Sequence, residues 1–169
     1  LTRRADGAGR EPGTGTGTGC GSRAGGAGAP PLFVYGTLRF PEVVETLLSR
    51  RPATTSAAVA GWRAAALRGR SYPGLVPAQR DVACAGSCLH DLTGAERELL
   101  DLFEGAHYEA REIPLVGGGH AVAYLWRGLP DPQVLPADWD PARFAAEHLA
   151  DFVRQCREWR AQVVPGPPR

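Results

Sequence analysis

Two stretches of this chain hold residue types that can do chemistry together. The first is Tyr35-Gly36-Thr37-Leu38, where an apolar run passes through glycine toward a proline-headed helix. A glycine there lets a ligand approach the main chain closely and permits positive φ. Amide N–H groups left unpaired at such a turn suit a carboxylate or a developing oxyanion. The second stretch is Leu100-Asp101-Leu102-Phe103-Glu104-Gly105. Asp101 stands three residues before Glu104, so both can face one side of a last helical turn. Beside Phe103 the Glu104 carboxyl is open to desolvation, which lifts its pKa toward that of a useful base. Alone, each stretch also has a plainer reading: a structural turn, and a solvated helix-end acid.

Other constellations are missing. Gly69-Arg70-Ser71-Tyr72-Pro73 fails as a nucleophile elbow because Pro73 occupies the place of the second glycine. There is no phosphate loop and no His-Glu-x-x-His pair. His90, His107, His120 and His148 stand apart and read as surface or packing residues. Cys20, Cys84, Cys88 and Cys156 have no zinc-ligand spacing, so no metal is expected. Cys84 and Cys88 fall in one expected strand, roughly 13 Å apart if extended, too far for a disulfide. Buried reduced thiols are the expectation.

The 169 residues suffice for one domain with a core. A composition 43% hydrophobic and 22% charged is ordinary for a globular chain. The net charge of +1 calls for neither nucleic acid nor an anionic membrane. The arginines at 50, 51, 63, 68 and 70 read as a solvated face. No apolar run approaches the roughly 20 residues of a membrane span. The chain starts at Leu1 and has no Met, so it is processed or a piece of something longer.

Residues 1–31 are Gly-rich with little apolar content, and are expected to be a disordered extension. Their Arg3, Arg4, Arg10 and Arg23 leave a transit peptide as the alternative, so the expected location is the cytoplasm, or an organelle in that case. Leu32 to Tyr35 reads as a buried strand, and Pro41 opens a helix with Val43, Val44, Leu47 and Leu48 on one face. Residues 54–69 hold two short strands or one bent one around Gly61, Tyr72-Pro73-Gly74 is a turn, and 82–90 is a strand. Thr93 to Glu96 is a capping box opening a helix that ends at Glu104 and Gly105. Residues 109–116 and 121–127 form a hairpin, with Val122, Tyr124 and Trp126 on one face and Ala121, Ala123 and Leu125 on the other. After a Pro-rich loop, Asp140-Pro141 caps one long helix. Its inner side holds Ala145, Leu149, Phe152, Val153, Cys156 and Trp159. Residues 161–169 are a Pro-rich tail. Strands in adjacent runs argue for an α+β fold.

Phe33-Val34-Tyr35-Gly36-Thr37-Leu38, then Leu-Asp-x-Phe-Glu-Gly, then Tyr108 and Tyr124-x-Trp126, resembles the gamma-glutamylcyclotransferase-like family. Tyr72-Pro73 and Trp139-Asp140 are similar to its plant branch, named for genes induced by an avirulence factor. The likeness spans about residues 32–160.

The resemblance implies a small mixed β-barrel flanked by helices. It also implies a reaction in which a gamma-glutamyl amine or peptide closes on its own side-chain carbonyl, giving 5-oxoproline and a free amine without a cofactor. By similarity Glu104 is the catalytic acid and base. Tyr35, Gly36, Thr37 and Leu38 form the substrate loop, with Arg39 adjoining, and Tyr108 and Tyr124 line the pocket. Thr37 stands where the best-known members carry Ser. Arg111 stands one residue off the usual spacing after Tyr108, which leaves it without an assigned role. Specificity is expected in loops around 70–80 and 128–138. The alternatives are a non-catalytic member that binds a small acid or a stress-response partner, and related acyl-transfer or isopeptide-cleaving chemistry in the same site. Oligomeric state is not legible.

Overall fold

Glycine and proline cut the chain into short segments, and the folded elements follow most of those cuts. A computed structural model describes residues 29–164. Most of the Gly-rich start, and the end of the tail, therefore lie outside the described residues. β1 (Leu32–Val34) runs through Tyr35 and Gly36 into a 3-10 turn at Thr37–Arg39, and α1 (Pro41–Leu48) follows. Pro41 sits in the first helical turn, where a missing N–H costs nothing, and Val43, Val44, Leu47 and Leu48 are all buried.

Gly61, at φ 77, separates β2 (Thr54–Ala60) from β3 (Trp62–Leu67), so residues 54–69 form two strands. They enter different parts of the sheet. β2 pairs with β5 (Ala83–Leu89), while β3 pairs with β4 (Gly74–Pro77) and with β8 (Val134–Asp138). α2 (Gly94–Glu104) opens on the expected box: Thr93 Oγ1 accepts from the Glu96 amide, and Glu96 accepts from the Thr93 amide. β6 (Tyr108–Pro114) and β7 (His120–Trp126) are the expected hairpin.

Three expectations need correction. The Tyr72-Pro73-Gly74 turn runs on into β4, whose first residue packs so closely on Trp126 that a Cβ at Gly74 would stand 2.9 Å from that residue's Cβ. The Pro-rich loop contains β8. This strand ends the sheet path, where the missing N–H of Pro136 removes no needed bond, and Arg63 donates to the carbonyls of Leu135, Pro136 and Ala137. The single long helix is two, α3 (Pro141–Glu147) and α4 (Leu149–Val163), broken at His148 (φ −129). The break shifts the helical register, so Phe144 is buried in place of the expected Ala145, which is exposed.

The strand order is β2-β5-β1-β7-β4-β3-β8, with β6 on the other edge of β7. This α+β sheet is curled around a core of strand side chains, among them Phe33, Val59, Leu75, Ala121, Ala123 and Leu125. Its two end strands, β2 and β8, do not pair with each other. On the opposite face Tyr124 and Trp126 pack with Val43, Leu47, Leu100 and Cys156 from the helices. The two faces of β7 expected from alternation are thus each in a separate core.

The edge of β7 is shared in a way that opens the molecule. β1 pairs in parallel with its first half, Leu32 opposite Val122 and Phe33 opposite Ala123. β4 pairs in parallel farther on, Leu75 opposite Leu125. The sheet forks between them, and Tyr35 stands in the fork. Its hydroxyl donates to the Tyr124 carbonyl at 2.7 Å and accepts from the Leu75 amide at 3.1 Å. One phenol thereby joins the two strands where the ladder cannot.

Candidate active site

A cavity of about 300 Å³ opens where the chain leaves the fork. Val34 to Leu38 line it on one side, Tyr72 and Pro73 approach from the segment before β4, and Tyr108 and Tyr124 come from β6 and β7. Phe103 and Glu104 enter from the end of α2, and Phe152, Gln155, Cys156 and Trp159 from α4. The two stretches singled out by sequence therefore meet in one hollow.

The loop after β1 leaves its donors free. Among the described residues no acceptor faces the amides of Gly36, Thr37 or Leu38, whereas those of Arg39 and Phe40 bond back to Gly36 and Thr37. Three consecutive unbonded N–H groups at the start of a 3-10 turn have the chemistry to receive negative charge. Gly36 is glycine for a reason other than the expected positive φ. Its φ is −109, and an added Cβ would lie 2.8 Å from Cγ of Pro73. The Pro73 carbonyl in turn accepts from the Tyr108 hydroxyl at 2.7 Å, which fixes the opposing wall.

Glu104 is half-buried at the end of α2, where Gly105 turns the chain at φ 69, ψ −164. That region of backbone space is essentially glycine's own. Among the described residues the Glu104 carboxylate has no hydrogen-bond or ion-pair partner. Burial lifts its pKa from 4.5 to about 8, and the nearby charge of Asp101 adds to the rise. Asp101 accepts from the Tyr124 hydroxyl at 2.6 Å. Burial holds the phenols of Tyr35, Tyr108 and Tyr124 protonated, with Glu104 adding to the effect in each.

Not every expected site residue is presented to the cavity as expected. Glu104, Gly36, Thr37, Leu38, Tyr35, Tyr108 and Tyr124 all line it. The Tyr35 hydroxyl has its proton committed to the Tyr124 carbonyl, so it has none left to donate into the cavity. Arg39 is exposed and points to other surface grooves. Arg111 pairs with Glu109 at 3.3 Å, away from the cavity. Of the two expected specificity segments, 70–80 supplies Tyr72 and Pro73, but 128–138 does not reach. His107, read as an isolated histidine, lines the cavity and stacks on Trp126 at 5.5 Å. Phe152, Cys156 and Trp159 had the spacing of a packing stripe, which does not tell a core face from a cavity wall.

Cys84, Cys88 and Cys156 are free and buried. Among the described residues no cluster of His, Cys, Asp and Glu is arranged to hold a metal ion. No described helix is long and apolar enough to cross a membrane.

Comparison with known proteins finds relatives over most of the chain. "AIG2-like protein D" of Arabidopsis thaliana is 30% identical over 138 residues, covering 78% of this chain and 90% of its own. "AIG2-like protein C" of the same plant is 33% identical over 139 residues, covering 79% and 80%. A solution structure of an Arabidopsis thaliana protein superposes with a TM-score of 0.58 at 26% identity, covering 82% of this chain and 95% of that one. Residues 32–141, from β1 through the start of α3, match the sequence profile described as gamma-glutamyl cyclotransferase, AIG2-like. That span is more than half of the chain, which therefore belongs to the gamma-glutamyl cyclotransferase, AIG2-like family.

Proposed function

We propose that the cavity cyclises a gamma-glutamyl amine or peptide to 5-oxoproline and releases the amine. The observation that carries this reading is that Glu104 lines the same cavity as Gly36, Thr37 and Leu38, whose amides make no hydrogen bond among the described residues.

The substrate enters as an ammonium, which cannot attack until it loses a proton. Ionised Glu104 takes that proton, and its pKa of about 8 makes it a stronger base toward an ammonium than an ordinary carboxylate is. The amine nitrogen then bonds to the side-chain carbonyl carbon, and the C=O electron pair moves onto oxygen. Amides of residues 36–38 hold the charge that develops there, in a site that needs no reorganisation. Collapse restores the carbonyl and breaks the bond to the leaving nitrogen. That nitrogen receives the attacking nitrogen's second proton before the bond breaks and takes the first back from Glu104, so the amine departs as an ammonium. One carboxyl thus serves both halves, and no water is consumed. Closing a five-membered ring is intramolecular, so much of the rate comes from holding a reactive conformer.

The Tyr124 hydroxyl, fixed on Asp101, and the Tyr108 hydroxyl, fixed on Pro73, shape the pocket around that conformer. No step calls on a cofactor. Incubation with a panel of gamma-glutamyl amines, peptides and amino acids, followed by mass-spectrometric detection of 5-oxoproline, tests the proposal. Product from at least one donor is expected, and its absence from all of them counts against it.

A further inference from the structure

α4 gives the cavity a wall that lies beyond the matched span 32–141. Phe152, Cys156 and Trp159 follow one another at helical spacing, so one face of α4 presents all three. All line the cavity. Phe103, next to Glu104, packs edge-on against both rings, 6.3 Å from Phe152 and 5.1 Å from Trp159. The polar side chain that α4 adds is Gln155, which is exposed. Among the described residues lining the cavity there is no arginine or lysine. Arg70, near Tyr72 in sequence, donates to the Tyr72 hydroxyl and lies over the rings of Tyr72 and Trp126.

The charged head of a gamma-glutamyl donor needs the amide cradle and Glu104. The leaving amine is left with the rest of the hollow, whose remaining wall is mostly aromatic. We propose that the face formed by Phe103, Phe152 and Trp159 selects donors whose leaving amine carries an apolar ring or a long alkyl group. Small amines, and amines bearing a carboxylate, are disfavoured. The inference rests on the cyclotransferase reading of the cavity. Its physical basis is twofold. Apolar area taken out of water against aromatic rings adds affinity in proportion to its size. A second carboxylate in a space lined by no arginine or lysine, with Arg70 already engaged by the Tyr72 hydroxyl, loses hydration with little compensation.

The test compares gamma-glutamylbenzylamide, gamma-glutamylmethylamide and gamma-glutamylglycine with the wild-type protein. It measures kcat/KM from 5-oxoproline release and, separately, Kd by calorimetry. The benzyl donor is expected to exceed both others on the order of tenfold or more in each measurement. Trp159→Ala is expected to shrink the benzyl-to-methyl ratio. Gln155→Arg, at an exposed position, is expected to raise the glycine-to-benzyl ratio by supplying the missing cation. Should no donor yield product while the benzyl compound still binds best, the cyclotransferase reading falls and the selectivity of the wall stands. Equal preference among the three, or none binding, overturns the inference. If Trp159→Ala does not fold, the wild-type ranking and Gln155→Arg decide the matter.

Discussion

The hydroxyl of Tyr124 donates to Oδ1 of Asp101 at 2.6 Å, tying the middle of β7 to α2 one turn before Glu104. This bond keeps the Asp101 charge close to the Glu104 carboxyl, where it adds to the rise that burial produces. Asp101→Asn removes that charge while leaving an acceptor for the phenol. The Glu104 pKa is then expected to fall from about 8 toward its ordinary range, without reaching it, because burial is the larger cause. The rising limb of the pH–rate profile moves to lower pH, and a profile that does not move argues against this coupling.

Glu104 also makes stability depend on pH with a definite sign. Its folded pKa is above its ordinary value of 4.5, so the folded state favours the neutral acid. The resulting stability is fully present below about pH 4.5 and is lost as pH rises through about 8. Glu104→Gln keeps the shape of the neutral acid and cannot ionise. Thermal melts are expected to show the variant more stable than the parent at pH 9, with the gap closing by pH 4.

Tyr35→Phe removes the atom that joins β4 to β7 across the fork. It leaves the Leu75 amide and the Tyr124 carbonyl without that partner in a buried setting. A loss of about 1–3 kcal/mol is expected in urea unfolding. A change well below this range indicates that the two strands find each other without the phenol.

Gly36→Ala drives a methyl group to within 2.8 Å of Pro73, a ring that cannot swing aside. Overpacking of this kind costs about 1–3 kcal/mol. Displacing Pro73 also disturbs the Tyr108 hydroxyl bonded to its carbonyl, so ligand binding is expected to weaken with stability. Calorimetry and denaturation on one sample check both.

Much of this was legible in the residues. The capping box named the start of α2, and Gly105 named its end, where Glu104 stands. The two-residue period of a strand named the two faces of β7 along residues 121–126. The fork was not legible, because parallel pairing of β1 and β4 with one edge of β7 joins segments far apart in sequence. β8 was hidden by its proline, which is tolerated only because it lies at the end of the sheet. The break at His148 escaped because Phe144 and Phe152 are both apolar and either register of a continuous helix looks acceptable. The role of α4 in the cavity was hidden for a related reason: an apolar stripe has the same spacing whether it meets a core or a ligand. Gly36 was recognised as special, but its reason is the neighbour Pro73, which no local pattern reveals.

The most direct measurement is 5-oxoproline release from one gamma-glutamyl donor by the parent protein and by Glu104→Gln, side by side at pH 8. A side-chain amide there can neither accept the ammonium proton nor return it. The account predicts product from the parent and a loss of at least about a hundredfold in the variant. Equal release by the two would contradict it.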